Sequence, residues 1–366
     1  MTISELPDSR TANEDPQMTK KVTIQDIADA LGISRNTVSK AINNSEGIAD
    51  STREKIIQKA VEMGYKQFSY VASIMNIVQE KEEVEVEPEF AGEIALLTGM
   101  YIPNNHFGSL MMDKFHQEIS QMGYTLTIHR VTDENVRSLT FPKTFNPERV
   151  SGVLCMEVFD YEYSKMICEC GIPLLFVDGP AKAGGRILPC DMLLMDSISP
   201  ITDFTFKMIE RGLMKIGFIG DYKHCQSFYE RYSAYILAMT YAGLKVDKRF
   251  LIPIADGDIS GLADYIENMD EMPDIFICAN DFVAIDAMQI LYQKDRKLRK
   301  QVRFLGFDDT HESRIFYPSL STVHIHSQTM AYSAVQLLMS RMKEPSLESR
   351  VVHVETDLVL RDSTEF

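Results

Sequence analysis

The sequence predicts an α/β protein in which a small all-α module precedes a doubly wound parallel-sheet domain of two subdomains. Three observations carry that expectation. From residue 92 onward, short apolar runs alternate with helical patterns, the arrangement of parallel sheets covered on both faces. Before residue 65 the apolar residues recur instead at helical spacing around a glycine turn. Between the two lies an acidic run, Glu80, Glu82, Glu83, Glu85, Glu87 and Glu89 with Pro88 inside it. That run reads as a solvated linker and sets a domain boundary near residue 90. At 366 residues the chain has room for two or three compact units.

An apolar content of 45% with 25% charged residues is that of a folded soluble protein. No stretch approaches the roughly 20 apolar residues that cross a bilayer, so no membrane partner is expected. Residues 1–20 lack the apolar core of a signal peptide and read as a disordered tail, with Met18 an alternative start. The expected location is the cytoplasm. Six cysteines, at 155, 168, 170, 190, 225 and 278, fit reduced thiols there rather than a disulfide framework. Cys168 and Cys170 form a C-x-C, but no neighbouring Cys/His pair completes a tetrahedral set, so neither metal nor cofactor is expected. A net charge of −16 argues against indiscriminate coating of nucleic acid. Yet Lys20, Lys21, Arg35, Lys40, Arg53, Lys55, Lys59 and Lys66 enrich the front of the chain.

Within that front module, residues 21–65, Thr23 is a helix N-cap and Asp26 puts a negative charge in the first turn. Ile24, Ile27, Ala28 and Leu31 make one helix face, and Gly32 ends it. Ser34 caps a second helix whose inward face is Val38, Ala41 and Ile42, leaving Arg35, Asn36, Thr37, Ser39 and Lys40 mostly outward. A third helix opens with the capping box Ser51–Glu54 and buries Ile56, Ile57, Ala60 and Val61. This is a helix-turn-helix. Its second helix suits the major groove, where Arg or Lys donates to guanine O6 and N7 and Asn pairs with adenine. Short hydroxyls suit phosphate contacts.

From residue 92, strand-like runs fall at 94–98, 126–131, 153–156, 173–178, 215–220, 274–279 and 302–307. Helical stretches fall at 109–122, 201–211, 231–242 and 281–293, and 351–360 is strand-like. The pattern occurs twice, dividing around residue 190. The expected subdomains are about 92–189 with 327–350, and about 190–324 with 351–361; residues 66–91 form the hinge and linker. Ligands of such sheets bind outside the carboxyl ends of the strands. Polar groups occur there at Asp178, Asn280, Asp281, Asp308 and Asp309.

The stretch from Val22 to Tyr65, with its S-x-x-T-V-S helix, resembles the headpiece of the lactose-repressor (LacI/GalR) family of bacterial transcription regulators. "CAND" (278–281), "LGFDD" (305–309), the stretch Arg231 to Ala238 and "NNHF" (104–107) resemble that family's effector-binding core, similar to periplasmic sugar-binding proteins. The resemblance spans about residues 22–361. It implies that Arg35, Asn36 and Lys40 face bases, with Ser34, Thr37, Ser39 and Asn43 near the DNA backbone. It also implies that Arg231, Asn280 and Asp308 hold hydroxyls or carbonyls of a small molecule, that Asp178 lies close by, and that Phe107 lines the cleft. Ser227, four residues before Arg231, and Glu157 are further candidates. The chain departs from the family pattern at Gly179, where many members have Arg, at Pro200 for a usual Gly, and at Leu213 for a common His. In the hinge the usual Pro-Asn is absent, Ala72 replaces an Arg, and Ile74 takes the position that wedges into the minor groove. Loss of that Arg predicts a smaller DNA bend than is typical.

The expected function is a sequence-specific DNA-binding transcriptional regulator, read as a repressor, acting as a homodimer on a pseudo-palindromic operator. Its effector is a small molecule, a sugar by family frequency with a nucleobase second; induction and co-repression both stay open. A transport-type sugar receptor is the alternative, opposed by the front module. No P-loop, G-x-S-x-G, H-E-x-x-H or dinucleotide fingerprint supports an enzyme.

Overall fold

The computed structural model describes residues 22–42, seven positions between 52 and 65, and residues 89–99, 107–182 and 185–365. The chain divides into two units, Met1–Glu87 and Pro88–Phe366.

In the first unit, α1 (Ile24–Leu31) starts at an extended Thr23. The Thr23 hydroxyl accepts from the Asp26 N–H at 3.3 Å, and the Asp26 carboxylate accepts from the Thr23 N–H at 2.8 Å. Two donors left orphaned at the helix start are thereby satisfied reciprocally. Gly32 stops the helix at φ 65°, a left-handed turn that suits a residue without Cβ. α2 (Arg35–Ile42) begins after Ser34, whose Oγ accepts from the Thr37 N–H at 3.1 Å. Residues 52, 55, 56, 59 and 60 are helical. Ile27, Ala28, Val38, Ala41, Ile56 and Ala60 form one buried core, so all three helical segments meet as their apolar spacing requires. The side chains of Ile42, Ile57 and Val61 lie outside the described residues.

The second unit opens with β1 (Gly92–Thr98), α3 (Phe107–Gln121), β2 (Tyr124–Arg130), α4 (Asp133–Ser138), β3 (Gly152–Met156), α5 (Tyr161–Cys168), β4 (Leu174–Val177) and β5 (Asp191–Met195). α6 (Ile198–Glu210), β6 (Ile216–Ile219), α7 (Gln226–Tyr241), β7 (Leu251–Ile252), α8 (Ile259–Glu267), β8 (Ile275–Cys278), α9 (Asp281–Lys294), β9 (Arg303–Leu305) and α10 (His311–Ile315) follow. The last elements are β10 (Thr322–Ile325), α11 (Ser327–Lys343), β11 (Val351–Val354) and β12 (Thr356–Val359).

Two parallel sheets result, ordered β11-β5-β4-β3-β1-β2 and β7-β6-β8-β9. Strand side chains alternate between faces, and both faces of the first sheet are apolar. Ile94, Leu96, Leu154 and Met156 meet Met111 and Phe115 of α3 and Met330 of α11 on one side. Ala95, Leu97, Val153 and Cys155 meet Tyr163 and Ile167 of α5 on the other. The second sheet splits in the same way, with Ile275 and Ile277 on one face and Phe276 and Cys278 on the other.

The divide expected near residue 190 is misplaced. β5 pairs with β4, and β11 pairs with β5, so residues 191–195 and 351–354 belong to the first sheet rather than the second subdomain. An aspartate at the head of a short run reads as a loop residue, but Asp191 is fully buried against two arginines. The chain therefore crosses between lobes three times, after β5, after β10 and after β11. β10 and β12 pair antiparallel at the crossing, Thr322 opposite Val359 and Ile325 opposite Thr356. Thr356 also donates to the Asp196 carbonyl at 2.8 Å, joining the connection that follows β5 to that ladder.

Candidate nucleic-acid interface and effector cleft

On the headpiece, Arg35, Asn36 and Lys40 of α2 are exposed while Val38 and Ala41 are buried. Ser34 is exposed and its hydroxyl lies 2.8 Å from that of Thr37. Thr37 and Ser39 are half-buried at the edge of the face. The helix, RNTVSKAI, carries no acidic side chain on this surface. Asn43 and the hinge, including Ala72 and Ile74, lie outside the described residues, as do residues 104–106.

In the second unit, polar groups at the strand ends of both lobes converge. Glu157 follows β3 at φ 55°, Asp178 follows β4 at φ 59°, and Asp308 lies beyond β9 at φ 114°. Positive φ in non-glycine residues is costly and is held by surrounding structure. At Glu157 that surrounding includes Gly99, where an added Cβ would stand 2.2 Å from the Glu157 carbonyl oxygen.

Arg231, from α7, is the centre of the group and is 2% exposed. Its Nη1 donates to the Ala279 carbonyl, its Nη2 lies 4.0 Å from Asp308 Oδ1, and its guanidinium stands 3.5 Å over the Phe307 ring. Phe228 flanks it at 5.3 Å, and its buried Nε has no hydrogen-bond partner. Asn280 caps α9 by accepting from the Val283 N–H at 2.9 Å and donates to Asp256 at 2.7 Å. Asp178 accepts from the Ser227 N–H at 3.1 Å and the Ser227 hydroxyl at 2.7 Å. Asp178 and Ser227 thus bind each other, joining the end of β4 in one lobe to α7 in the other. Phe107 opens α3 half-buried and packs on the core that contains Phe228 and Phe307.

Burial, with carboxyl crowding added to it, sets the electrostatics. Burial, reinforced by Asp178 and Asp256, pushes Glu157 up to about 7. Burial pushes Asp308 well above the usual carboxylate range; the Arg231 charge opposes this, while Asp281, Asp256 and Glu157 add to it. Asp256 is also raised by burial, against the pull of its Asn280 hydrogen bond. Asp281 and Asp309 prove to be structural. Asp281 accepts from the Thr322 hydroxyl at 2.6 Å and the Thr310 N–H at 2.8 Å, tying α9 to β10. Burial acts to raise Asp309, but hydrogen bonds from His324, Arg314 and Arg361 outweigh it and hold this carboxyl low.

Sequence reasoning missed Asp256, His224 and Phe159. Asp256 follows β7, a two-residue strand too short to show alternation. Phe159 and His224 come from opposite lobes and meet edge to face at 4.7 Å. Their only sequence signal is position after a strand.

The titration of Glu157 gives a testable pH dependence. Its carboxyl titrates near 4.5 when unperturbed and at about 7 in the fold, so between those values the native state keeps a proton the unfolded chain has lost. Stability from this group therefore falls as pH rises through that window. Urea unfolding of wild type and Glu157→Gln across it should show a steeper fall in wild type, because the other raised carboxyls remain in both. Superimposable pH profiles would rule the effect out.

A helix-turn-helix with an outward polar helix, followed by a two-lobed α/β body, defines a DNA-binding regulator with a ligand-binding core. The model for bacterial regulatory proteins of the lacI family matches residues 23–67, and that for the periplasmic binding protein-like domain matches residues 207–364. The front of the chain thus matches the lacI family of bacterial regulatory proteins, and the relatives it resembles are transcriptional regulators. It is 24% identical to the HTH-type transcriptional repressor PurR of Vibrio atlanticus (strain LGP32), over 94% of this chain and 98% of that one. It is also 24% identical to the HTH-type transcriptional regulator RegA of Clostridium saccharobutylicum, over 93% and 99% of the respective chains. Among solved structures it is similar to the transcriptional regulator CelR–cellobiose complex, with TM-score 0.63 and 20% identity over 94% of this chain and 100% of that one. The Lac repressor dimer bound to operator and the anti-inducer ONPF is similar at TM-score 0.63 and 18% identity, over 94% and 99%. No helix among the described residues is long and apolar enough to cross a membrane.

Proposed function

We propose that this regulator is a cytoplasmic homodimeric repressor whose operator affinity is set by an uncharged polyhydroxylated effector, a sugar, held between the lobes by Arg231, Asn280 and Asp308. One observation carries the reading. Arg231 is buried between Phe228 and Phe307 beside a carboxyl of raised pKa, with a guanidinium N–H that has no partner. A buried donor left unpaired costs about 1–3 kcal/mol, and a ligand oxygen removes that cost. Carboxyls that hold protons both donate and accept to hydroxyls, and crowded carboxyls disfavour an anionic ligand. Relatives support the class, since one solved structure holds cellobiose and another of this fold holds D-xylulofuranose.

The mechanism is linkage. Asp178, Ser227, Phe159 and His224 bridge the lobes, so a ligand between them favours one lobe arrangement over another. It changes operator affinity only by its differential affinity for the two arrangements. A thermal-shift panel of neutral sugars, sugar phosphates and nucleobases tests this, because a ligand that binds the native state raises the melting temperature. Stabilisation by sugar phosphates or nucleobases alone would overturn the sugar reading.

For the DNA face, Asn36→Ala and Lys40→Ala should each weaken operator binding by about 1–3 kcal/mol and relax sequence preference. Ser39→Ala, on the phosphate side, should weaken all sequences about equally. Binding titrations on operator and scrambled duplexes distinguish these, and an unaltered preference in both base-facing variants would displace them from that role. For assembly, sedimentation at micromolar protein should give a dimer; a stable tetramer or a monomer would count against the homodimer.

A further inference from the structure

A cavity lies on the second lobe away from the effector cleft. Asn280 sits at the start of α9, and this cavity opens beside the last turns of the same helix. Tyr292, in its wall, stands about 18 Å further along the helix axis. The cavity holds about 460 Å³, within the range of small-molecule sites. Gln289, Tyr292 and Gln293 of α9 line it together with Phe316. Two arginines complete the wall, Arg296 and Arg299 of the short 3-10 turn Arg296–Lys300 that follows the helix. Every polar side chain in this lining can donate a hydrogen bond, and none is acidic. That composition runs against the net charge of −16 carried by the whole chain.

Two of these donors are buried without a partner. Tyr292 is 6% exposed and its hydroxyl bonds to no protein group, and the Arg299 Nε is in the same state. Folded proteins rarely leave a buried donor unpaired, because its lost hydration is not made good. Stacking accounts for where the Arg299 guanidinium is held but not for what it binds. It lies 4.9 Å from the centre of the Tyr292 ring and 5.2 Å from that of Tyr317. A cation over a ring is attracted by charge and needs no acceptor, so these contacts do not satisfy the Nε–H. Burial pushes the Tyr292 hydroxyl up against the pull of the Arg299 charge, so it stays a donor. Lys294 is already committed: its Nζ donates to the carbonyls of Ile266, Glu267 and Met269 at 2.8, 2.9 and 3.1 Å.

We propose that this cavity binds a small organic phosphate monoester, its phosphate taken by Arg296, Arg299 and the Tyr292 hydroxyl and its organic part lying against Phe316. Gln289 and Gln293 supply further donors. A phosphate monoester is an anion with three strong acceptor oxygens, which suits a wall of donors without a carboxylate. Guanidinium forks match phosphate geometry, and the stacking on Tyr292 and Tyr317 holds one of them in place before the ligand arrives. Inorganic phosphate alone would leave most of a cavity of this size unfilled. The inference is independent of the sugar proposed for the cleft, where crowded carboxyls disfavour an anion.

The test titrates full-length protein with phenyl phosphate, inorganic phosphate and phenol at fixed ionic strength, followed by melting temperature and calorimetry. Phenyl phosphate should raise the melting temperature and bind more tightly than inorganic phosphate, and phenol should do neither. Tyr292→Phe removes only the unpartnered hydroxyl. The free variant should therefore melt no lower than wild type, while phenyl phosphate binds it about tenfold more weakly. Arg299→Gln should weaken the same ligand by about 30-fold. Wild-type affinity in Tyr292→Phe, equal binding of phenyl phosphate and inorganic phosphate, or no response to either would each overturn the assignment. Binding kept in Arg299→Gln but lost in Arg231→Ala would place the phosphate in the effector cleft and overturn it as well. The Tyr292→Phe arm decides the matter even if Arg299→Gln fails to fold.

Discussion

Arg231→Ala is expected to abolish the effector response while leaving operator binding in place. The guanidinium is buried, its Nε–H has no partner within the protein, and hydrogen bonds from charged groups contribute about 1.5–3 kcal/mol each. Loss of about 3 kcal/mol weakens a ligand by roughly 150-fold. The substitution also removes the positive charge that opposes the upward push on Asp308, so that carboxyl should rise further. Arg231→Lys keeps the charge but not the planar fork and should recover only part of the affinity. Isothermal calorimetry with the sugar found by thermal shift, alongside operator binding, reads both effects. Undiminished affinity in Arg231→Ala would remove this residue from the site.

Asp191→Ala should cost about 3–5 kcal/mol of stability, the penalty of breaking a buried ion pair from one side. Asp191 is fully buried and accepts from Arg341 at 2.8 Å and 3.1 Å and from the Arg350 side chain at 2.6 Å. It also accepts from the Arg350 N–H at 2.8 Å. Burial acts to raise this carboxyl, yet the arginine hydrogen bonds outweigh it and hold it below 3.8. A lowered carboxyl stabilises the fold above its unfolded pKa, and that contribution is lost as pH falls through the folded value. Urea unfolding of the variant measures the loss, and a change under about 1 kcal/mol would show that the arginines find other partners.

The headpiece was legible because each of its determinants is local. Thr23, Asp26, Gly32 and Ser34 fix helix ends within a few residues, and apolar spacing fixes which sides meet. The strand runs were legible because both sheet faces are apolar. Long-range polar pairing was not. Asp191 looks solvated until residues 341 and 350 are placed beside it, which shifted the expected lobe boundary. α7 begins at Gln226, ahead of the expected 231, because its first turn carries Gln226, Ser227 and Glu230, polar residues buried against the other lobe. The candidate cleft was half legible. Motifs marked Arg231, Asn280 and Asp308, while Asp256 reaches Asn280 from the short β7 within the second lobe, and Phe159 and His224 meet only through the approach of the two lobes.

The threefold crossing between lobes bears on the order in which the chain can assemble as it is synthesised. Residues 216–305 contain every strand of the second sheet, so that sheet can close as soon as this stretch has emerged. The first sheet cannot. Its leading strands appear early, but β5 stays an open edge, and Asp191 stays without its arginines, until α11 and β11 emerge, well after the second sheet. An unpaired apolar edge is an aggregation hazard while it lasts. Of the two lobes, the one begun first is therefore closed last, and the nascent chain relies on residues 351–354 to cover the exposed strand.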